Sequence, residues 1–344
     1  MLRLSLIVLI AFFVSCDNND AVPRGKYATG VFVVNEGNFN EADGSIDFLS
    51  STNERSAGIY GSENDVTTSG VFQSLYFNQD RAYLIDQVGN RVTVVKAETF
   101  KHIEFWENDM STPRYITVAN NKAYISNWGP FDQNFDLPNS FVLVIDLESG
   151  ETLKKITTDK GSEGIISFGG NVYVANSYSN TIQVINTDSD EVDSSFEVAF
   201  APTSFAEDKN GKFWVLSSHW LEGAHLSLVD LAMEQVFKSF PVAGSSKSLN
   251  INGAGDKVYY LSTPFGSDAS VYMVDIDATE APSEPVLSAA NLYGLGVDPS
   301  NGELYLANHN GFQGNGSIVR TNSAGEEQES YSAGRAPNGF VFRK

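Results

Sequence analysis

A short strand ending that recurs seven times constrains this chain more than any other feature. It reads FVVN at 32–35, YLID at 83–86, YISN at 124–127 and YVAN at 173–176. It returns as WVLS at 214–217, YYLS at 259–262 and YLAN at 305–308. Successive copies lie 51, 41, 49, 41, 45 and 46 residues apart. A period near 45 residues holding several short apolar runs suits a propeller blade of four strands. Helical solenoids are a poor fit, because no segment sustains a 3.6-residue apolar period over a dozen positions.

Each repeat carries the same parts. We label the strands of a blade A to D from the axis outward. Strand A comes first, as at 115–119 or 295–297. A polar turn follows, such as Asn120-Asn121, Gly169-Gly170-Asn171, Lys209-Asn210-Gly211, Asn252-Gly253 or Ser300-Asn301-Gly302. Such residues accept the positive φ angles of tight hairpins. Strand B is the recurring run. Strand C is expected at 45–49, 91–95, 141–146, 181–185, 226–230, 270–275 and 317–320, and a polar turn and strand D complete the unit. Val, Ile, Tyr and Phe dominate these segments, as a half-buried pleated surface requires. The first copy lacks a preceding strand A, and the C-terminus supplies an unmatched one at 338–342. That strand is expected to complete blade 1, closing the ring and burying two sheet edges. The fold class is therefore all-β: a seven-bladed propeller of four-stranded blades.

In such blades the B–C and D–A loops share one rim, and the A–B and C–D turns share the other. Here the latter are short and polar, whereas several B–C loops are long and aromatic. They hold Phe39, Trp128, Phe131, Tyr178, Trp220, Phe265, His309 and Phe312. Rigid aromatic surface beside amide groups gives contact area at low entropy cost, and amides orient a ligand. The alternative is that each ring packs onto a neighbouring blade. Nearer the axis, the D–A loops place Arg114, Lys247 and Arg335, which could meet a phosphate or carboxylate or could pair with acids such as Glu163. The strand-end amides of Asn127, Asn176 and Asn308 read first as backbone braces.

No catalytic constellation stands out. Gly-x-Ser-x-Gly, P-loop and Rossmann patterns are absent. Of the four histidines, His219 and His225 share one expected loop, a weak basis for a metal site. His309 could be a ligand contact, a base or a polar bystander. We therefore expect no enzyme activity, no metal and no cofactor. The chain holds 22 basic and 43 acidic residues, so a nucleic-acid partner would be repelled.

The N-terminus resembles a bacterial lipoprotein signal. Arg3 precedes an apolar run through Val14 that is too short to span a bilayer. Phe13-Val14-Ser15-Cys16 is similar to a lipobox, with Cys16 as the lipidated residue. Residues 1–15 would be the signal peptide, 16–26 an acidic tether and 27–344 the propeller. Cys16 is the sole cysteine, which excludes a disulfide framework. The acidic run at 17–20 resembles a surface-export signal of Bacteroidetes lipoproteins. The expected location is the outer membrane, surface-exposed, with a periplasmic placement as the alternative.

The segments AYISNWG at 123–129 and VYVANSYSN at 172–180 resemble the YVTN-type repeat of YncE-like propellers. VVNEGNF at 33–39, followed by Gly44-Ser45-Ile46, resembles a subgroup of Bacteroidetes surface lipoproteins of that class. Some of that subgroup are cobamide-capture lipoproteins. The resemblance implies that a vitamin B12-type corrinoid is captured on the propeller face and passed to a TonB-dependent outer-membrane transporter, with no covalent step. It implies no individual ligand contact. A protein-interaction propeller and an exported lyase or hydrolase are the competing readings.

Overall fold

The computed structural model describes residues 25–219, 221–264 and 266–344. Cys16, Trp220 and Phe265 lie outside the described residues. Seven four-stranded antiparallel sheets form the ring. The innermost strands are Pro337–Arg343 for blade 1, then Phe72–Asn78, Pro113–Ala119, Ser162–Phe168, Pro202–Glu207, Ser246–Ile251 and Leu292–Val297 for blades 2 to 7. The C-terminal strand pairs with Gly30–Asn35, as the unmatched strand predicted.

Burial explains the sequence pattern. The recurring strand is buried along nearly its whole length, since blades flank it on both faces. It therefore reads as a continuous apolar run. The outermost strand of blade 4, Glu191–Glu197, faces water and is mostly polar. Each neighbouring pair of blades has its own apolar cluster, and the seventh joins Val31 and Val33 of blade 1 to Tyr305 and Ile318 of blade 7. The ring is thus closed by a core as well as by hydrogen bonds.

Turns on the far rim are set by short polar side chains. Asn120 and Asn121 take φ of 48° and 58°. Asp208 Oδ1 accepts from the Asn210 and Lys212 amides at 2.8 and 3.1 Å. The blade 6 turn differs from the expected Asn252-Gly253 hairpin. Its positive φ falls on Gly255, at 66°. Gly253 is needed for close approach instead, because a Cβ there would lie 1.5 Å from the Pro299 carbonyl oxygen.

Two further differences stand out. The outer strand of blade 1 is only Arg55–Ser56, and the helix Ile59–Asn64 follows it. Its Ile59 and Tyr60 are buried in the cluster between blades 1 and 2. Six residues are too few to leave a helical period in the sequence. His219 and His225 do not share a loop. They lie on paired strands, His225 opposite Ser217 and His219 opposite Gly223. Among the described residues no helix is long and apolar enough to cross a membrane.

Candidate functional site

The second residue of every innermost strand lines one central cavity: Gln73, Arg114, Glu163, Thr203, Lys247, Tyr293 and Asn338. The geometry has a local cause. Each innermost strand breaks register with its neighbour near this point, as at Phe72/Ser74, Pro202/Ser204 and Leu292/Gly294. A bulge of this kind re-aims a side chain out of the regular ladder. The residue after the strand-B ending adds Glu36, Gln87, Trp128 and Ser218 to the same wall. The cavity measures about 840 Å3.

The cationic expectation resolves unequally. Arg114 is buried and forks onto Glu163, with Nε and Nη2 donating to Oε2 and Oε1 at 2.9 and 3.0 Å. Its Nη1 donates to Gln87. Gln87 Nε2 donates to Glu36 Oε1 at 3.0 Å, and the Tyr293 hydroxyl donates to Glu36 Oε2 at 2.8 Å. Burial opposes the Arg114 charge, but Glu163 more than offsets this and holds the guanidinium above its usual value. Burial, reinforced by Glu36, raises the Tyr293 phenol well above the ordinary range. Tyr115 is pushed up to about 12, first by burial and then by Glu163. Arg335 pairs with Glu41 and Asp43 at 2.8 and 3.3 Å, so its charge is also matched.

Lys247 is the exception. Its ammonium has no ion pair or hydrogen bond among the described residues, and sits 3.1 Å from the Tyr293 ring centre. Burial pushes the ammonium down to about 7, with Glu36 opposing. An unfolded chain would hold that proton up to about 10.5. Between these values the unfolded state binds the extra proton, so this residue's contribution to stability rises with pH and costs most below pH 7. Lys247→Met is expected to stabilise the chain by about 1–3 kcal/mol near pH 6, from relief of the buried charge. The gain should vanish above the unfolded lysine pKa. Urea titrations of both chains across that window check this, and a gain that does not fade with pH would contradict it.

The rim aromatics gather into two groups. Trp128, Phe131 and Tyr178 meet edge-to-face, with ring centres 5.9 to 6.3 Å apart. Arg114 lies 3.9 Å from the Trp128 ring, so it supports that ring from within the protein. Gly129 has φ 74°, and a Cβ there would approach the Asn139 carbonyl oxygen to 2.6 Å. This turn lets Ser140 Oγ donate to the Trp128 carbonyl at 2.7 Å and close the loop. In the second group His309 stacks on Phe312 at 3.9 Å, and both rings meet Tyr293. Phe39 lines the cavity while remaining 60% exposed.

The strand-end amides act as braces. Asn127 Nδ2 donates to the Ile125 carbonyl at 2.9 Å, and Asn308 Nδ2 donates to the Ala290 carbonyl at 3.0 Å. The rim histidines brace turns too. His309 Nδ1 accepts from the Phe312 amide at 3.1 Å, which places the ring proton on Nε2. Burial, then the Lys247 charge, lowers its pKa. His219 Nδ1 accepts from the Leu221 and Glu222 amides, both at 3.3 Å. Among the described residues no three His, Cys, Asp or Glu side chains gather where a metal could bind. Sequence reasoning missed Gln73, Gln87 and Tyr115 as wall residues. Their signal is positional: each falls at the start of a strand A or just after a strand-B ending.

Comparison with solved structures gives the same architecture. The chain is similar to a quinonprotein alcohol dehydrogenase-like protein of Bacteroides thetaiotaomicron, at 16% identity and a TM-score of 0.70, covering 92% of this chain and 79% of that one. It is similar to dihydro-heme d1 dehydrogenase in complex with DHE, at 12% identity and a TM-score of 0.62, covering 93% and 78%. Hydrazine synthase of Kuenenia stuttgartiensis gives 17% identity and a TM-score of 0.59, covering 76% and 85%. At these identities the likeness shows the propeller fold alone. No curated protein matches the sequence. The model of one family, described as a domain of unknown function, DUF5074, matches residues 29–342. The match spans almost the whole propeller, and the chain belongs to the DUF5074 family.

Proposed function

We propose that this chain captures a small molecule in its central cavity and releases it unchanged. The observation that carries this reading is the cavity itself. Its volume of about 840 Å3 lies in the range that encloses small ligands. Rigid rings at its mouth, Phe39, Trp128 and Phe131, offer apolar contact. On the wall of Arg114, Glu163, Gln87, Glu36 and Tyr293 the polar groups are held in place by one another, so little ordering of them remains when a ligand enters. No covalent step is needed, and the activity is equilibrium binding.

The resemblance to cobamide-capture lipoproteins supplies the finer proposal. The ligand is a corrinoid, the chain is tethered through lipidated Cys16 at the outer membrane, and a TonB-dependent transporter receives the cargo. The corrin ring would lie against the rim aromatics, with a narrower part of the ligand descending toward Lys247. Titration calorimetry with cobalamin and with cobinamide, which lacks the lower nucleotide, tests this. Equimolar binding of cobalamin is the expected result. No heat from either corrinoid and no co-purified chromophore would overturn the corrinoid version.

One observation favours an added protein contact. Phe135 is 81% and Leu221 68% exposed, on loops of the same rim. Exposed large apolar side chains outside the cavity suit docking to a partner. Transfer of cargo needs such a surface, so this reading joins the first.

A further inference from the structure

The cavity wall is built in two ways. From blades 2 to 4 and across blades 7 and 1, the polar side chains are cross-bonded. Gln73 donates to Tyr115 at 3.0 Å, and Arg114, Glu163, Gln87, Glu36 and Tyr293 form one chain. Blades 5 and 6 present Ser204, Ser218, Lys247 and Ser248. Among the described residues no hydrogen bond joins these side chains to the opposite wall. Ser218 Oγ accepts from the Ser246 amide at 2.9 Å, and among the described residues its own proton goes to no acceptor. The hydroxyls of Ser204 and Ser248 donate to none of the described residues either. Glu36, the carboxylate whose charge acts on Lys247, already receives Gln87 on one oxygen and Tyr293 on the other.

We propose that Lys247, with the hydroxyls of Ser204, Ser218 and Ser248, is the subsite for one oxyanion of the captured molecule, a carboxylate or a phosphate ester. The proposal deepens the capture reading and rests on it for the remainder of the ligand. An ammonium is a compact charge with three donors, and each serine hydroxyl adds one. Arg114 and Arg335 are matched by acids, so the cavity offers its uncompensated positive charge on this wall alone among the described residues. In a chain of net charge −21, that local charge sets where an anion is attracted.

The subsite also couples binding to a proton. The free ammonium is depressed to about 7 by burial. Glu36, Tyr293 and His309 face it, with the Arg114–Glu163 pair further along the wall. An oxyanion on Lys247 favours the charged form, so the amine takes up a proton as the anion binds, and affinity falls as pH rises through 7.

Calorimetric titration of the full chain with acetate and with sulfate tests this, since both keep a constant charge between about pH 6 and pH 8. Binding about tenfold weaker at the upper pH is expected, following the fraction of charged amine. A preference for sulfate marks a phosphate ester as the natural group, and a preference for acetate marks a carboxylate. Lys247→Met should abolish binding. Lys247→Arg, which stays charged, should retain binding and lose its pH dependence. Undiminished binding in Lys247→Met would overturn the proposal, as would a surviving pH dependence in Lys247→Arg, which would belong to His309. Absence of binding by the unaltered chain at either pH would overturn it too. A chain that takes up cobalamin but neither small anion would keep the capture reading and lose this subsite.

Discussion

Arg114→Met is expected to destabilise the propeller by about 3–5 kcal/mol, the cost of stranding a buried charge. Glu163 would lose both of its guanidinium contacts, at 2.9 and 3.0 Å, while only 6% exposed. Gln87 would lose its donor, and the Trp128 ring would lose the plane that supports it. The double change Arg114→Met with Glu163→Met removes both charges together. It should recover most of the lost stability, because a buried ion pair contributes little net stability once both members are replaced by apolar groups. Urea unfolding of the three chains separates these outcomes. A double variant as unstable as the single one would show that the pair does more than satisfy itself.

The closing strand should matter still more. A chain ending at residue 336 would lack Pro337–Arg343, which pairs with Gly30–Asn35 along its whole length. It would also remove Phe340, Val341 and Phe342 from the clusters that join blade 1 to its two neighbours. These three are partly buried, so each contributes less than the ~1.5–3 kcal/mol of full burial, but a whole domain is stable by only about 5–15 kcal/mol and the strand's hydrogen bonds go as well. Loss of the cooperative unfolding transition is the expected result by circular dichroism and calorimetry. A truncated chain that still melted as one unit would contradict closure of the ring by this strand.

The same two regions mark how far the sequence could be read. The ring was legible because the recurring strand is buried on both faces. That burial forces aromatic and β-branched residues into the same place in every repeat. Closure was legible because Phe32 has no strand A before it and Phe340 has no strand B after it. The rim was legible in outline: Trp128, Phe131 and Tyr178 do converge, as do His309 and Phe312. The fate of the charges was not. Arg114 and Lys247 occupy the same position in their repeats, the second residue of the innermost strand, whereas Arg335 ends the outermost strand of blade 7. What separates them is Glu163, Gln87, Glu41 and Asp43, which come from other blades or distant loops. Partners 27 to 51 residues apart are joined by strand register and bulges, and no local pattern announces them.

The most direct measurement is corrinoid titration carried to two variants of the same rim. Trp128→Ala removes a ring that lines the cavity, and Phe135→Ala removes an exposed one that does not line it. Capture within the cavity predicts that cobalamin binds the unaltered chain and Phe135→Ala alike, and binds Trp128→Ala far more weakly. Equal affinity across all three chains, or a loss confined to Phe135→Ala, would contradict the cavity as the place of capture.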